Sequence, residues 1–154
     1  DMEGVAVFNL YELSQEIVFN IDEWSKIISD ASAVIYQFPF YWMSAPSLLK
    51  KWQDEVFTFL SKTPAVAGKP LTVVTTTGSE YEAYRSGGRN RFTTDELLRP
   101  YQVNAIHSGM SWQTPIVVYG MGTADAGKNI AEGANLYKQR VEMLIGNSNA
   151  GNNW

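Results

Sequence analysis

Two short segments of this chain carry residue types suited to chemistry on a flat ligand. One is Phe38-Pro39-Phe40-Tyr41-Trp42-Met43-Ser44, in which aromatic rings crowd around a proline directly after an apolar run. The other is Thr75-Thr76-Thr77-Gly78-Ser79, a run of hydroxyls broken by a glycine. A connecting segment usually runs over the surface and is polar, so the aromatic stretch reads either as core filling or as one wall of a binding site. As a wall, its rings would cover the face of a ligand while amides freed from a sheet ladder reach the heteroatoms at its edge. The Thr-Thr-Gly turn would add hydroxyl and amide donors, with Gly78 letting the backbone approach closely. On residue types alone both readings stay open.

The rest of the composition removes other chemistries. No cysteine occurs among the 154 residues, which excludes disulfides, thiol nucleophiles and iron–sulfur ligation and fits a reducing, cytoplasmic setting. The one histidine, His107, cannot build a metal site alone and reads as a packing or capping residue, so no metal is expected. A formal net charge of −4 argues against a nucleic-acid surface. No apolar run reaches the roughly 18–20 residues that cross a bilayer, and Asp1-Met2-Glu3 does not open like a signal peptide. Demanding chemistry would then belong to an organic cofactor.

The elements that must position the two segments alternate between strand and helix. Val5-Ala6-Val7-Phe8 and the near-continuous apolar run from Ala33 to Phe38 read as strands, the second buried on both faces and ended by Pro39. Asn20 and Glu23 predict a capped helix start between them. From Pro46 the period becomes helical, with Leu48, Leu49, Trp52, Val56 and Phe59 on one stripe. Strands follow at Pro70–Thr75 and Ile116–Tyr119. Between them, Thr93 and Glu96 form a capping box that opens a helix kinked at Pro100 and closed by Gly109. The last helix carries Ile130, Ala134, Tyr137, Val141 and Leu144 on one face, and Gly146 is expected to stop it. This pattern predicts one α/β domain over residues 1–146, with 147–154 as a frayed tail. Ligands of such open sheets lie beyond the carboxyl ends of the strands, where both chemical segments fall.

The run from Gln37 through Pro46 to Trp52 resembles the signature of the flavodoxin-like NAD(P)H:quinone oxidoreductases. The likeness continues through Thr76-Thr77-Gly78, Tyr84-Arg85-Ser86-Gly87-Gly88, Asn90-Arg91-Phe92, Asp95 to Pro100 and Pro115 to Gly120, while Leu10-Tyr11-Glu12-Leu13 fits the end of that family's second strand. The chain is most similar to short bacterial members, which include ancillary flavoproteins of potassium-efflux systems. The resemblance implies a three-layer α/β/α fold with an open parallel sheet of order 2-1-3-4-5, the first strand absent from this chain. It implies FMN, or alternatively FAD, reduced by NADPH or NADH and reoxidised by a quinone or similar acceptor in a ping-pong cycle. By the same likeness Pro39, Phe40, Tyr41, Trp42 and Met43 would line the isoalloxazine. Thr76, Thr77, Gly78 and Ser79 would hold its pyrimidine edge, and Tyr84 would be the catalytic donor near O2 and N1. The partners implied are a second copy in a homodimer and, for an ancillary subunit with little turnover, a membrane transporter. Lys50, Lys51, Arg89 and Arg91 could dock an acidic partner or simply form a solvated face.

Three departures from the family qualify these expectations. Larger members carry a histidine where this chain has Asn90, which puts a proton relay there in doubt. The loop that roofs the partner's flavin is short here, Thr58 to Thr63 leading almost directly to Pro64. Nothing before Asp1 supplies the first strand, phosphate loop and helix. Additional N-terminal residues are therefore expected in the functional protein, and the 154-residue form is expected not to retain flavin by itself.

Overall fold

The computed structural model describes residues 2–12 and 18–149. Helix α1 (Ile21–Asp30) opens as its sequence dictates, Asn20 Oδ1 accepting from the amides of Asp22 and Glu23 at 3.1 and 3.2 Å. It feeds strand β1 (Val34–Pro39), whose alternate residues Val34, Tyr36 and Phe38 are buried. Strand β2 (Pro70–Thr76) is buried along nearly its whole length, as the central strand must be. It pairs in parallel with β1 on one side and with β3 (Ser111–Trp112) and β4 (Ile116–Val118) on the other. The register slips by one residue between the last two, Pro70 facing Ser111 but Val74 facing Ile116. They are thus one strand interrupted by a bulge, and Pro115, which has no amide hydrogen to give, falls in the gap.

Helices cover both faces. On one, α1 and the helical stretch 47–60 pack around Tyr36 and Phe38, together with Leu98 and with α5 (Arg99–His107), which follows the short α4 (Thr94–Leu97). On the other, α6 (Ala126–Asn149) buries Gly133 against Val118 and turns Val141 and Leu144 inward. The stretch 47–60 is α2 (Ser47–Trp52), a π-helical turn Gln53–Phe57, and α3 (Thr58–Leu60). The π turn holds an extra residue, so the buried stripe changes phase across it. Leu48, Trp52 and Val56 point inward as expected, but Phe57 and Leu60 follow them, and Phe59 is exposed. Thr93 and Glu96 form the expected capping box, and the helix breaks at Leu98 just before Pro100.

Several expectations fail here. Val5–Phe8 makes no ladder; Val7 is exposed and Phe8 leans on Trp24, ring centroids 5.3 Å apart. Residues 10–12 form a turn closed by the Glu12 amide on Asn9 O, not the end of a strand, and Leu13 lies outside the described residues. Ile130 is exposed because α6 presents its Gly133 side, not its Ile130 side, to the sheet. Nor does Gly146 stop α6, which continues to Asn149; one helical glycine costs about 1 kcal/mol, too little to end a long helix. Residues 150–154 of the expected tail lie outside the described residues. Of the two readings of His107, packing fails, since the side chain is exposed; it lies in the last turn of α5, where the capping reading had it.

Candidate functional site

Phe40, just past Pro39, makes one last bond of the β1–β2 ladder, its amide donating to Thr76 O at 2.9 Å. The chain then reverses on itself. Tyr41 and Ser44 exchange both backbone bonds, at 2.8 and 3.0 Å, and leave Trp42 and Met43 at the tip. Both tip residues are left-handed, with φ of +46° and +64°. That conformation costs a non-glycine residue roughly 1–2 kcal/mol, and two-residue turns of this kind are normally filled by Asn-Gly. The strain holds Trp42 98% exposed, with Tyr41 and Met43 exposed beside it. Core filling is therefore excluded for these three, although Phe40 is half-buried. Tyr101, buried on α5, secures the base of the hairpin: its hydroxyl accepts from the Ala45 amide at 3.0 Å and lies 3.4 Å from Ser44 Oγ.

The second segment leaves the neighbouring strand at the same end of the sheet. Thr77 is buried, its amide donating to Val118 O and its hydroxyl to Ser79 O, both at 2.9 Å. The amides of Gly120, Met121 and Gly122 donate back to Ser79, Thr77 and Gly78. Gly122 packs closely on this turn, where a Cβ would stand 3.0 Å from Gly78 O, whereas a Cβ at Gly78 would meet no atom of the described residues within 4 Å. Ser79 Oγ accepts from Arg89 Nη2 at 2.7 Å. Among the described residues, the amides of Trp42, Met43, Gly78 and Ser79 donate to nothing. Two adjacent turns thus present unspent donors beside an exposed indole.

Tyr84 ends a 3-10 turn (Tyr81–Tyr84) and is buried between Phe40 and Tyr119, ring centroids 6.2 and 5.9 Å away. Its hydroxyl has no hydrogen-bond partner among the described residues. The loop behind it closes through the Asn90 amide on Ala83 O at 3.0 Å, and Gly88 packs so tightly that a Cβ would stand 2.3 Å from Glu82 O. The side chain of Asn90 turns its Nδ2 away from solvent, with no partner among the described residues.

A cleft of about 830 Å³ borders Tyr84 on its other flank. It contains none of Pro39 to Met43 or Thr76 to Ser79, so the flat-ligand segments form an open shelf, and Tyr84 alone of the sequence-derived site residues reaches both places. Arg140, Leu136 and Met143 of α6 line this cleft and were not anticipated. Their spacing of three to four residues was the available signal, overshadowed by the stripe that includes Val141 and Leu144.

Comparison with known proteins accords with this geometry. General stress protein 14 of Bacillus subtilis is 34% identical over 145 residues, covering 92% of this chain and 82% of that protein. The glutathione-regulated potassium-efflux ancillary protein KefG of Serratia proteamaculans is 36% identical over 77% of this chain and 67% of its own length. Among solved structures, general stress protein 14 of Treponema denticola in complex with FMN superposes with a TM-score of 0.78 at 26% identity, covering 88% of this chain and 79% of that one. An NADPH-quinone reductase from P. pentosaceus superposes at 0.66 and 30% identity, covering 75% and 72%. A structure described as a thermophilic tryptophan halogenase from Streptomycin violaceusniger superposes at a TM-score of 0.84 and 34% identity, covering 92% of this chain and 84% of that one. The profile of the flavodoxin-like fold family matches residues 2–141, with the parallel sheet, the flanking helices and the two strand-end turns all in place, and this chain belongs to that family.

Proposed function

We propose that residues 2–149 form a single flavin-binding domain and that the chain is an NAD(P)H-dependent oxidoreductase acting on a quinone or similar acceptor. One observation carries this reading: the amides of Trp42, Met43, Gly78 and Ser79 are unspent on the turns that end two neighbouring strands, and the first turn holds an indole exposed on a strained backbone. The set fits the ring of FMN, which is flat, apolar on its faces and lined with acceptors along one edge. FAD carries the same ring and is the alternative. The names of the FMN-bound and quinone-reducing relatives support the choice.

Bound flavin would supply the redox chemistry, accepting hydride from NADPH or NADH and passing two electrons to the acceptor in alternating half-reactions. The chain's own residues do the rest. Trp42 and Tyr41 would cover a ring face, Pro39, Phe40 and Met43 would line its side, and Thr76 with the Gly78 and Ser79 amides would hold the pyrimidine edge. Thr77, its amide and hydroxyl already spent on Val118 and Ser79, fixes that turn from beneath. Tyr84 donates its free hydroxyl where negative charge develops, a role worth about 2.7–4 kcal/mol in a closed site and less on an open shelf that water reaches. A second copy in a homodimer would cover the exposed Tyr41, Trp42 and Met43.

Stopped-flow reduction of the FMN-loaded protein by NADPH tests this. Tyr84→Phe should slow reduction about tenfold or more while weakening FMN binding by less; unchanged rates would remove Tyr84 from the chemistry. The likeness to KefG favours one second reading, an ancillary flavin-binding subunit of a membrane transporter. Lys50 and Lys51 are already paired with Asp54 and Glu55 of their own helical stretch, which leaves Arg91 better placed than either to meet an acidic partner. Quinone turnover with and without a candidate transporter separates the two.

A further inference from the structure

The cleft on the far side of Tyr84 is a separate feature with its own chemistry. It runs beside the outer edge of β4, a strand of three residues, because α6 on one face of the sheet and the 81–95 segment on the other both extend past that edge. Its apolar floor includes two large side chains that the fold leaves exposed, Leu136 (55%) and Met143 (41%). Exposed apolar surface gathered in one cavity and rimmed by polar groups marks a binding site more often than scattered residues do. The opposite wall is aromatic: Tyr81 stacks edge-on against Tyr119 at 5.3 Å, and Tyr119 in turn touches Tyr84. The Tyr119 hydroxyl is engaged with Thr94 Oγ1 at 2.6 Å, so this wall offers mainly ring surface.

The charges lining the cleft are unequal. Arg140 is half-buried and fixed by one bond, Nη1 donating to Thr114 O at 2.6 Å, and among the described residues it has no carboxylate partner. Its remaining donors are unspent. Arg85 lies over the Tyr81 ring at 5.4 Å and only 3.7 Å from Glu82, a loose pair at the surface. Asp95, exposed, is the one carboxylate in the lining. Arg85 already has Glu82, so Arg140 is the guanidinium of this cleft that has no carboxylate partner among the described residues. A guanidinium held partly out of water favours a carboxylate that it can grip with two parallel bonds. The N-terminus of α4 also borders the cleft, but its capping box already uses the Thr93 and Glu96 amides, so Arg140 is the anchor.

We propose that this cleft binds a small aromatic monocarboxylate, its carboxylate on Arg140 and its ring between the tyrosine wall and Leu136 and Met143. The site is independent of the flavin reading, although Tyr84 is a wall common to both.

Calorimetric titration of the flavin-free protein with 2-naphthoate and with neutral 2-naphthamide tests it. Naphthoate should bind saturably at one site and at least tenfold tighter than the amide. Arg140→Gln should weaken naphthoate at least tenfold and leave the amide within about twofold. If that variant fails to melt cooperatively, Leu136→Asp decides: it places an anion in the cleft at an exposed position and should cause a similar loss. Trp42→Ala, on the separate shelf, should leave naphthoate affinity unchanged. Absence of saturable binding to the folded protein, equal affinity for the two probes, retained affinity in Leu136→Asp, or a loss in Trp42→Ala would each overturn the assignment.

Discussion

Aromatic side chains on the two sides of Pro39 meet opposite fates. Before it, Tyr36 and Phe38 point into the core, where Tyr36 packs edge-on against Trp52, Phe57 and Tyr101 with centroids 6.0 to 6.5 Å apart. Burial pushes the Tyr36 phenol well above its ordinary pKa, so it remains neutral. After it, Tyr41 and Trp42 face solvent on a backbone that is strained to hold them there. Residue type does not separate the two groups; backbone conformation does. Extended residues of β1 alternate into a core that accepts every second ring, whereas the left-handed tip of the hairpin has no core to face. Strain kept at an exposed aromatic is a sign of a ligand, because stability gains nothing from it.

The comparison breaks most visibly on truncation. Trp52→Ala should cost about 3–5 kcal/mol, as removal of a buried indole does, and thermal or urea unfolding will show it. Trp42→Ala should leave unfolding within about 0.5 kcal/mol of the parent. The same change should weaken FMN about tenfold in a fluorescence titration, the scale of one lost ring stack. A large stability loss in Trp42→Ala would mean that the indole packs as core does, and the contrast would collapse.

Met43→Gly sharpens the contrast from the backbone side. Glycine relieves the left-handed strain but adds freedom to the unfolded chain, for a net stabilisation of roughly 0.5–1 kcal/mol, with weaker FMN binding as the hairpin loosens. The smallest effect concerns the cap of α4. Hydrogen bonds from the Thr93 amide and hydroxyl hold the Glu96 carboxyl below its ordinary value. With the folded pKa below the unfolded one, this contribution is full above the ordinary glutamate range and is lost as pH falls through the folded value. Glu96→Gln should therefore lower stability slightly at neutral pH, where the contribution is full, and the two proteins should converge as pH falls, flattening the acid limb of the profile.

Much of this was legible in the sequence because local chemistry and global fold agree. The Thr93–Glu96 box, the Asn20 cap and the apolar run of β1 each fix one conformation by themselves. The 37–52 segment pointed to both fold and family. What could not be read depends on tertiary context. Val5–Phe8 has strand residues, yet a strand exists only where a ladder receives it. Phe59 was misplaced because a π turn leaves no mark in hydrophobic spacing. The packing of Gly122 on Gly78 O could not be read either, because the 118–122 segment folds back onto the turn, a contact distant in sequence. Arg140 escaped notice because a cleft beside a sheet edge arises from two segments that share no motif.

The central claim is that the hairpin of Trp42 and Met43 and the turn of Gly78 and Ser79 hold the flavin ring together. Amide NMR spectra of isotope-labelled protein during FMN addition test it most directly. The account predicts saturable shifts of the Trp42, Met43, Gly78 and Ser79 amides with one common midpoint, since their donors are free to meet the ring's edge. Shifts confined to the Tyr81–Arg140 cleft, with the hairpin amides unmoved at saturation, would contradict it.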